Sequence, residues 1–159
     1  MHDANLVFSD DQSLAQVVGT YLSDKSIDWQ KAARQTTALG NTPTMDIGRG
    51  NLVEVVCQVT TAFVGATATV LAELIMADDE ALTSNVVSLE QAPGGSITVG
   101  IPVATLVAGY QWRIGRSIPA GISSRYLGLR YRIFTATTTA GKISAFLAKD
   151  RTTAPGTFF

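Results

Sequence analysis

Chemistry needs nucleophiles, acids, bases or metal ligands close together, and this chain of 159 residues offers few of them. Its single histidine is His2 and its single cysteine is Cys57. A Ser–His–Asp or Cys–His arrangement would hang its base on a terminal arm, far from a rigid scaffold, so nucleophilic catalysis is not expected. One cysteine cannot form an intramolecular disulfide, and one cysteine with one histidine is too few for a zinc site. Cys57 lies in an alternating apolar run, where it suits the role of a small buried hydrophobe. Asp78, Asp79 and Glu80 present the oxygen ligands that calcium takes. Their spacing is not that of an EF-hand, and three consecutive acids mark a solvated turn. Neither G-x-x-x-x-G-K-[ST] nor G-x-G-x-x-G occurs, so the glycines punctuate turns and cradle no phosphate. The remaining acids are scattered. The sequence therefore names no catalytic, cofactor-binding or metal-binding residue, and no enzyme activity or cofactor is expected.

Charge is more informative in its distribution than in its sum of −1. Residues 1–80 hold eleven acids and four bases, whereas residues 81–159 hold two acids and eight bases. The halves carry about −7 and +6. Two readings are open: the halves interleave in one sandwich and neutralise each other, or Arg113, Arg116, Arg125, Arg130 and Arg132 face an acidic partner. Charged residues make up only 16% of the chain against a typical ~25%, which suits a β protein partly covered by other chains.

The elements that would position any site are strands. Leu127, Leu129, Tyr131 and Ile133 alternate with Tyr126, Gly128, Arg130 and Arg132, the period of a half-buried strand. Upstream, Tyr110, Trp112 and Ile114 alternate with Gln111 and Arg113. The turn-rich stretch 117–123, with Pro119 and Gly121, lets the chain reverse. The stretch 106–134 thus reads as two adjacent antiparallel strands, and Gly128 predicts a bulge or a close backbone approach. Earlier strands are expected at 51–61 and 67–76, with the turn over 61–66. The 67–76 strand is apolar on both faces. Residues 13–22 fit a short helix about as well as a strand, through Ala15, Val18 and Leu22, and are read as a strand because 17–20 is β-branched and broken by Gly19. Short strands are expected at 26–29, 86–89, 97–99 and 101–103, with Pro102 arguing for an edge, and a longer one at 142–148. Residues 1–12 read as an extended arm anchored by Leu6, Val7 and Phe8. Residues 30–50 read as a long polar loop, and such loops are often functional. The tail 150–159 ends in Phe158 and Phe159, two aromatics costly to leave in water, which dock onto this chain or a neighbour.

About eight strands, no long helix and regular turn signals predict a single all-β domain over 1–159, a sandwich or barrel. No secretory leader is visible at the acidic N-terminus, and no apolar stretch approaches the roughly 18 residues of a membrane span. Nucleic-acid binding is not expected either. A stacking platform needs aromatics and arginines on one face, and strand parity turns Tyr131 away from Arg130 and Arg132.

Several runs, taken in order, resemble one family. They are Leu6 to Gln12, read Leu-Val-Phe-Ser-Asp-Asp-Gln; the 51–61 strand with Ala62 and Phe63; and 67–74 followed by Asp78, Asp79 and Glu80. The run 101–110, Ile-Pro-Val-Ala-Thr-Leu-Val-Ala-Gly-Tyr, Pro119, and 125–131, Arg-Tyr-Leu-Gly-Leu-Arg-Tyr, complete the set. Together they resemble the small capsid cement (decoration) proteins of tailed bacteriophages, over most of the chain except the 30–45 loop and the final tail. The 30–50 loop is longer than that pattern. The resemblance implies a jelly-roll-like antiparallel β-sandwich and a homotrimer on the outer capsid surface of the virion, synthesised in the host cytoplasm. Its partner would be the major capsid protein, bound across subunit boundaries, with no enzymatic activity and no small-molecule substrate. Contacts are expected from segments without core duties, the 1–12 arm, the 30–50 loop and the 150–159 tail, and from the arginine set. The residues named are Leu6, Phe8, Arg34, Met45, Arg113, Arg116, Arg130, Arg132, Phe158 and Phe159. The alternative is a carbohydrate- or receptor-binding β-sandwich module of a phage particle, for which Trp29 is the one aromatic placed to serve and Trp112 reads as core.

Overall fold

The computed structural model describes residues 6–28, 52–92, 100–117 and 124–149. The strands are β1 (Val7–Ser13), β2 (Gly19–Leu22), β3 (Ile27–Asp28), β4 (Leu52–Val64) and β5 (Thr69–Ala77). They continue with β6 (Val87–Ala92), β7 (Ile101–Pro102), β8 (Gln111–Ser117), β9 (Tyr126–Phe134) and β10 (Ala140–Lys149). A short 3-10 turn covers Val103–Thr105. All pairings are antiparallel. One sheet runs β1-β10-β4-β8 and the other β2-β9-β5-β6, with β3 added to β9 and β7 to β5. The pairs nest outward from the middle of the chain: β5 with β6, β4 with β8, β2 with β9, and β1 with β10. A long hairpin of four strand pairs, rolled so that neighbouring pairs fall in opposite sheets, is the eight-stranded jelly roll. The two-residue strands β3 and β7 are additions to it.

Alternation decides what enters the core. Val55, Cys57 and Val59 from β4 are buried, as are Ile143, Ala145 and Leu147 from β10 and Leu127, Leu129, Tyr131 and Ile133 from β9. Each large side chain taken out of water there contributes about 1.5–3 kcal/mol of transfer free energy. Buried Tyr131 keeps its hydroxyl satisfied across the sandwich, donating to Ser9 at 2.8 Å while Ser9 donates to Gln12 Oε1 at 2.6 Å. In β5 every residue from Val70 to Ala77 is buried. Its inner face meets the other sheet. On its outer face, Ile75 and Ala77 lie under Leu82 from the 78–86 loop.

Four expectations need correction. β8 and β9 are not neighbours: β8 pairs with β4 in one sheet, and β9 lies between β2 and β5 in the other. Parity tells which face a strand buries but not which strand it pairs with, and residues 118–125 suffice to cross the ~10 Å between stacked sheets. The 1–12 stretch is not a free arm. From Val7 onward it is β1, hydrogen-bonded to β10, with Phe8 in the core. The turn expected over 61–66 begins later, since β4 runs on to Val64. The strand expected from Leu106 starts only at Gln111. Leu106 instead closes the 3-10 turn, its carbonyl accepting from Phe63 N–H at 3.0 Å. At Gly128 the β5–β9 register is unbroken, so there is no bulge. A Cβ there would sit 2.1 Å from Leu82 Cδ1, so the glycine serves a close approach. The strand expected at 97–99, the 30–50 loop and the 150–159 tail lie outside the described residues.

Candidate interaction surface

The arginines meet their own chain's acids. Arg113 pairs with Glu54 at 3.1 Å, and Arg125 grips Asp28 through Nε–Oδ1 at 3.0 Å and Nη2–Oδ2 at 2.6 Å. Arg130 Nε donates to Glu73 Oε2 at 2.7 Å, and Arg132 Nη2 lies 3.4 Å from the same oxygen. Lys142 pairs with Asp11 at 2.6 Å. Each of these pairs joins an acid of the first half to a base of the second, so the halves interleave and neutralise each other. Glu73 is the centre of the tightest group. Its side chain is 1% exposed, while Arg130 and Arg132 keep 22% and 26%. Burial alone would raise its pKa. Hydrogen bonds from Arg130 and Ser88 and the charges of Arg130 and Arg132 outweigh that, and the carboxyl is held below its ordinary value.

Of the other residues expected at an interface, Phe8 is fully buried in the core and Leu6 packs half-buried against it, so both serve the sandwich itself. Arg34, Met45, Phe158 and Phe159 lie outside the described residues, as does the side chain of Arg116.

The strands run between two ends of the sandwich that differ in character. At one end lies the 78–86 loop with Ser124 and Arg125, whose N–H donates to Ala77 O at 3.1 Å. Asp78, Asp79, Glu80 and Arg125 are here, while the 23–26 loop runs alongside β9, with Ser23 N–H donating to Leu129 O at 2.8 Å. The acidic run folds onto itself. Asp79 accepts from the Thr83 and Ser84 amides at 2.8 and 2.7 Å and from the Thr83 hydroxyl at 2.7 Å. The Thr83 and Ser84 bonds hold its carboxyl below the ordinary range. The same turn presents Leu82, at a φ of 59°, over Gly128.

At the other end four connections come together: 14–18 (Leu-Ala-Gln-Val-Val), 65–68 (Gly-Ala-Thr-Ala), 103–110 (Val-Ala-Thr-Leu-Val-Ala-Gly-Tyr) and 135–139 (Thr-Ala-Thr-Thr-Thr). None contains a charged residue. Backbone groups lace them into one surface. Thr138 N–H donates to Gln16 O at 3.0 Å, Thr139 N–H to Val64 O at 2.8 Å, and Val103 N–H to Ala68 O at 3.1 Å. The buried Thr138 hydroxyl donates to Leu14 O and accepts from Gln16 N–H at 3.1 Å. Satisfied in this way, the loops need no charged side chains to hold their shape. Val17, Val18, Val64 and Val107 stand 62%, 52%, 55% and 56% exposed on this end. Among the described residues the one other large exposed hydrophobe is Val87, at the opposite end. Val17, Val18 and Val107 stand on these loops and Val64 ends β4; scattered surface valines need no explanation by themselves.

The Bbp16 family model matches residues 8–147. The chain belongs to the Bbp16 family. No curated protein matches it. The Bbp16 match runs from Phe8 in β1 to Leu147 in β10 and so spans the whole jelly roll, including both ends of the sandwich. In this Bbp16-family chain contacts were expected from the arm, the 30–50 loop, the tail and the arginine set, and the meeting of the four uncharged connections was not foreseen. Their composition was legible: four uncharged stretches rich in Ala, Val and Thr. Nothing along the chain says that they meet.

Proposed function

We propose that this chain is a structural virion protein, a cement or decoration protein that binds the outer surface of a phage capsid, bridges major capsid subunits and stabilises the shell. It acts without enzymatic activity or cofactor, and as a homotrimer. The observation that supports this reading is the set of charge-free connections, joined by backbone hydrogen bonds at one end of a jelly roll, a kind of surface that suits contact with another protein. The resemblance over most of the chain points the same way. Among the described side chains, Arg113, Arg125, Arg130 and Arg132, which a polyanion partner would use, are paired with the chain's own carboxylates. Trp112 is in the core beside Tyr110, with ring centroids 6.0 Å apart, as its alternating run indicated, and Trp29, the aromatic that the glycan alternative would use, lies outside the described residues.

A protein that binds only the assembled shell stabilises it by mass action, about 2.7 kcal/mol per site at a hundredfold excess over Kd. The test is co-sedimentation of the purified chain with shells of its parent phage stripped of it, beside its mass by light scattering. Saturable binding by a species of three chains' mass supports the reading, and so does a rise in shell melting temperature. A monomer that ignores shells refutes it, and glycan arrays become the next assay.

A further inference from the structure

We infer that the 78–86 loop is a lid that opens by itself, with Leu82 as its plug and an apolar seat of Ile75, Ala77 and Gly128 beneath it. This is independent of the capsid-binding reading and stands or falls without it.

The loop joins β5 to β6 and folds back over the outer face of its own sheet, where Leu82 lies on Gly128 of β9, on the far side of β5 from β6. Its hydrogen bonds are made inside the loop. Leu82 N–H donates to Asp79 O at 3.1 Å, Asp78 N–H to Ser84 O at 3.0 Å, and Asn85 Nδ2 to Asp78 Oδ2 at 2.7 Å. The Asp79 carboxylate takes the Thr83 and Ser84 bonds already described. Among the described residues no hydrogen bond runs from residues 78–86 to β9. Leu82 is also the one buried residue between Asp78 and Val86. A loop built this way keeps its own bonds when it lifts, and gives up chiefly the burial of one leucine side chain.

The seat is set apart from the main core. Ile75, Ala77 and Leu82 form their own cluster, with Leu22, Val86 and Tyr126 packed at its rim. Lifting the plug therefore leaves the interior of the sandwich closed. Leu82 stands at a φ of 59°, in the left-handed region that bulky side chains rarely adopt, and this strain offsets part of what its burial gains. Gly128 completes the fit, since a Cβ there would collide with Leu82 Cδ1.

The test is thiol labelling of Ala77→Cys, which puts a thiol under the plug and leaves the plug in place. Cys57, fully buried in the main core, reports global unfolding in the same chain. The expected result is labelling of the new thiol about 100-fold or more faster than Cys57, yet well below the rate of the unfolded chain. Low urea should barely change that rate, because a local opening uncovers little surface. Adding Leu82→Ala should speed it about tenfold or more. Ile75→Cys places a second thiol in the same seat and carries the test if Ala77→Cys lowers the melting temperature. Labelling of the seat only at the rate and urea dependence of Cys57 overturns the inference, because the loop then opens only with the whole fold. Labelling at the rate of the unfolded chain overturns it as well, because the seat is then never covered. A rate indifferent to Leu82→Ala removes Leu82 as the plug and the inference with it.

Discussion

Removing the carboxylate of Glu73 tests whether the charge asymmetry of the chain is resolved inside it. In Glu73→Ala, Arg130 and Arg132 lose the anion between them, and Arg132 Nε is already buried without a hydrogen-bond partner. Breaking a fully buried pair by deleting one partner costs about 3–5 kcal/mol. Here both guanidiniums keep about a quarter of their side-chain surface in water, so the expected loss is at the low end, about 2–3 kcal/mol. For a chain of this size that lowers Tm by roughly 4–12 °C. Glu73→Gln keeps the volume and one acceptor oxygen and separates charge from packing, with about half the loss expected. The pH profile gives the sharper check. The folded-state pKa of Glu73 lies below its unfolded value, so its contribution is fully present above the unfolded value. It is lost as pH falls through the folded one. Urea unfolding of the parent and of Glu73→Gln, from pH 7 to pH 3, should show a gap that is constant above about pH 5.5 and closes in the acid range. A Glu73→Gln chain as stable as the parent at pH 7, or a gap unchanged at pH 3, would refute the reasoning.

Other outcomes follow from single contacts. Gly128→Ala drives a methyl into Leu82 and should cost about 1–3 kcal/mol by overpacking; in Leu82→Ala the same change should cost much less, read as a double-mutant cycle in urea. Thr138→Val keeps the shape but leaves the Leu14 carbonyl and the Gln16 amide without their partner, and should destabilise by about 1–3 kcal/mol. Hydrogen exchange should show that loss concentrated in residues 14–18. Cys57 is fully buried and its thiol is pushed up by desolvation. It should resist a thiol reagent in the native state and react only at the rate of unfolding. Fast labelling of the folded protein would contradict its placement. Deleting residues 152–159 should weaken trimerisation or shell binding while leaving the fold intact, read by light scattering, co-sedimentation and melting.

Local pattern determined most of the strands. Alternation in β4, β9 and β10 identified the buried face residue by residue, because each of these strands packs one face on the core. The doubly apolar run of β5 signalled burial on both faces, and the Leu82 loop supplies the second cover. Gly128 announced a close approach without saying what approaches. Pairing was not legible. The 106–134 stretch looked like a hairpin, yet β8 and β9 lie in opposite sheets, since a long connection leaves the choice of neighbour to the whole chain. For the same reason β1 passed for a free arm, when its partner β10 lies at the far end of the sequence. The partners of the arginines, and the convergence of four uncharged loops on one end, depend on contacts between residues 35 to 122 positions apart. Composition determined that acids and bases would balance and that some loops would be charge-free. The jelly-roll nesting decided which acid meets which base, and which loops share a surface.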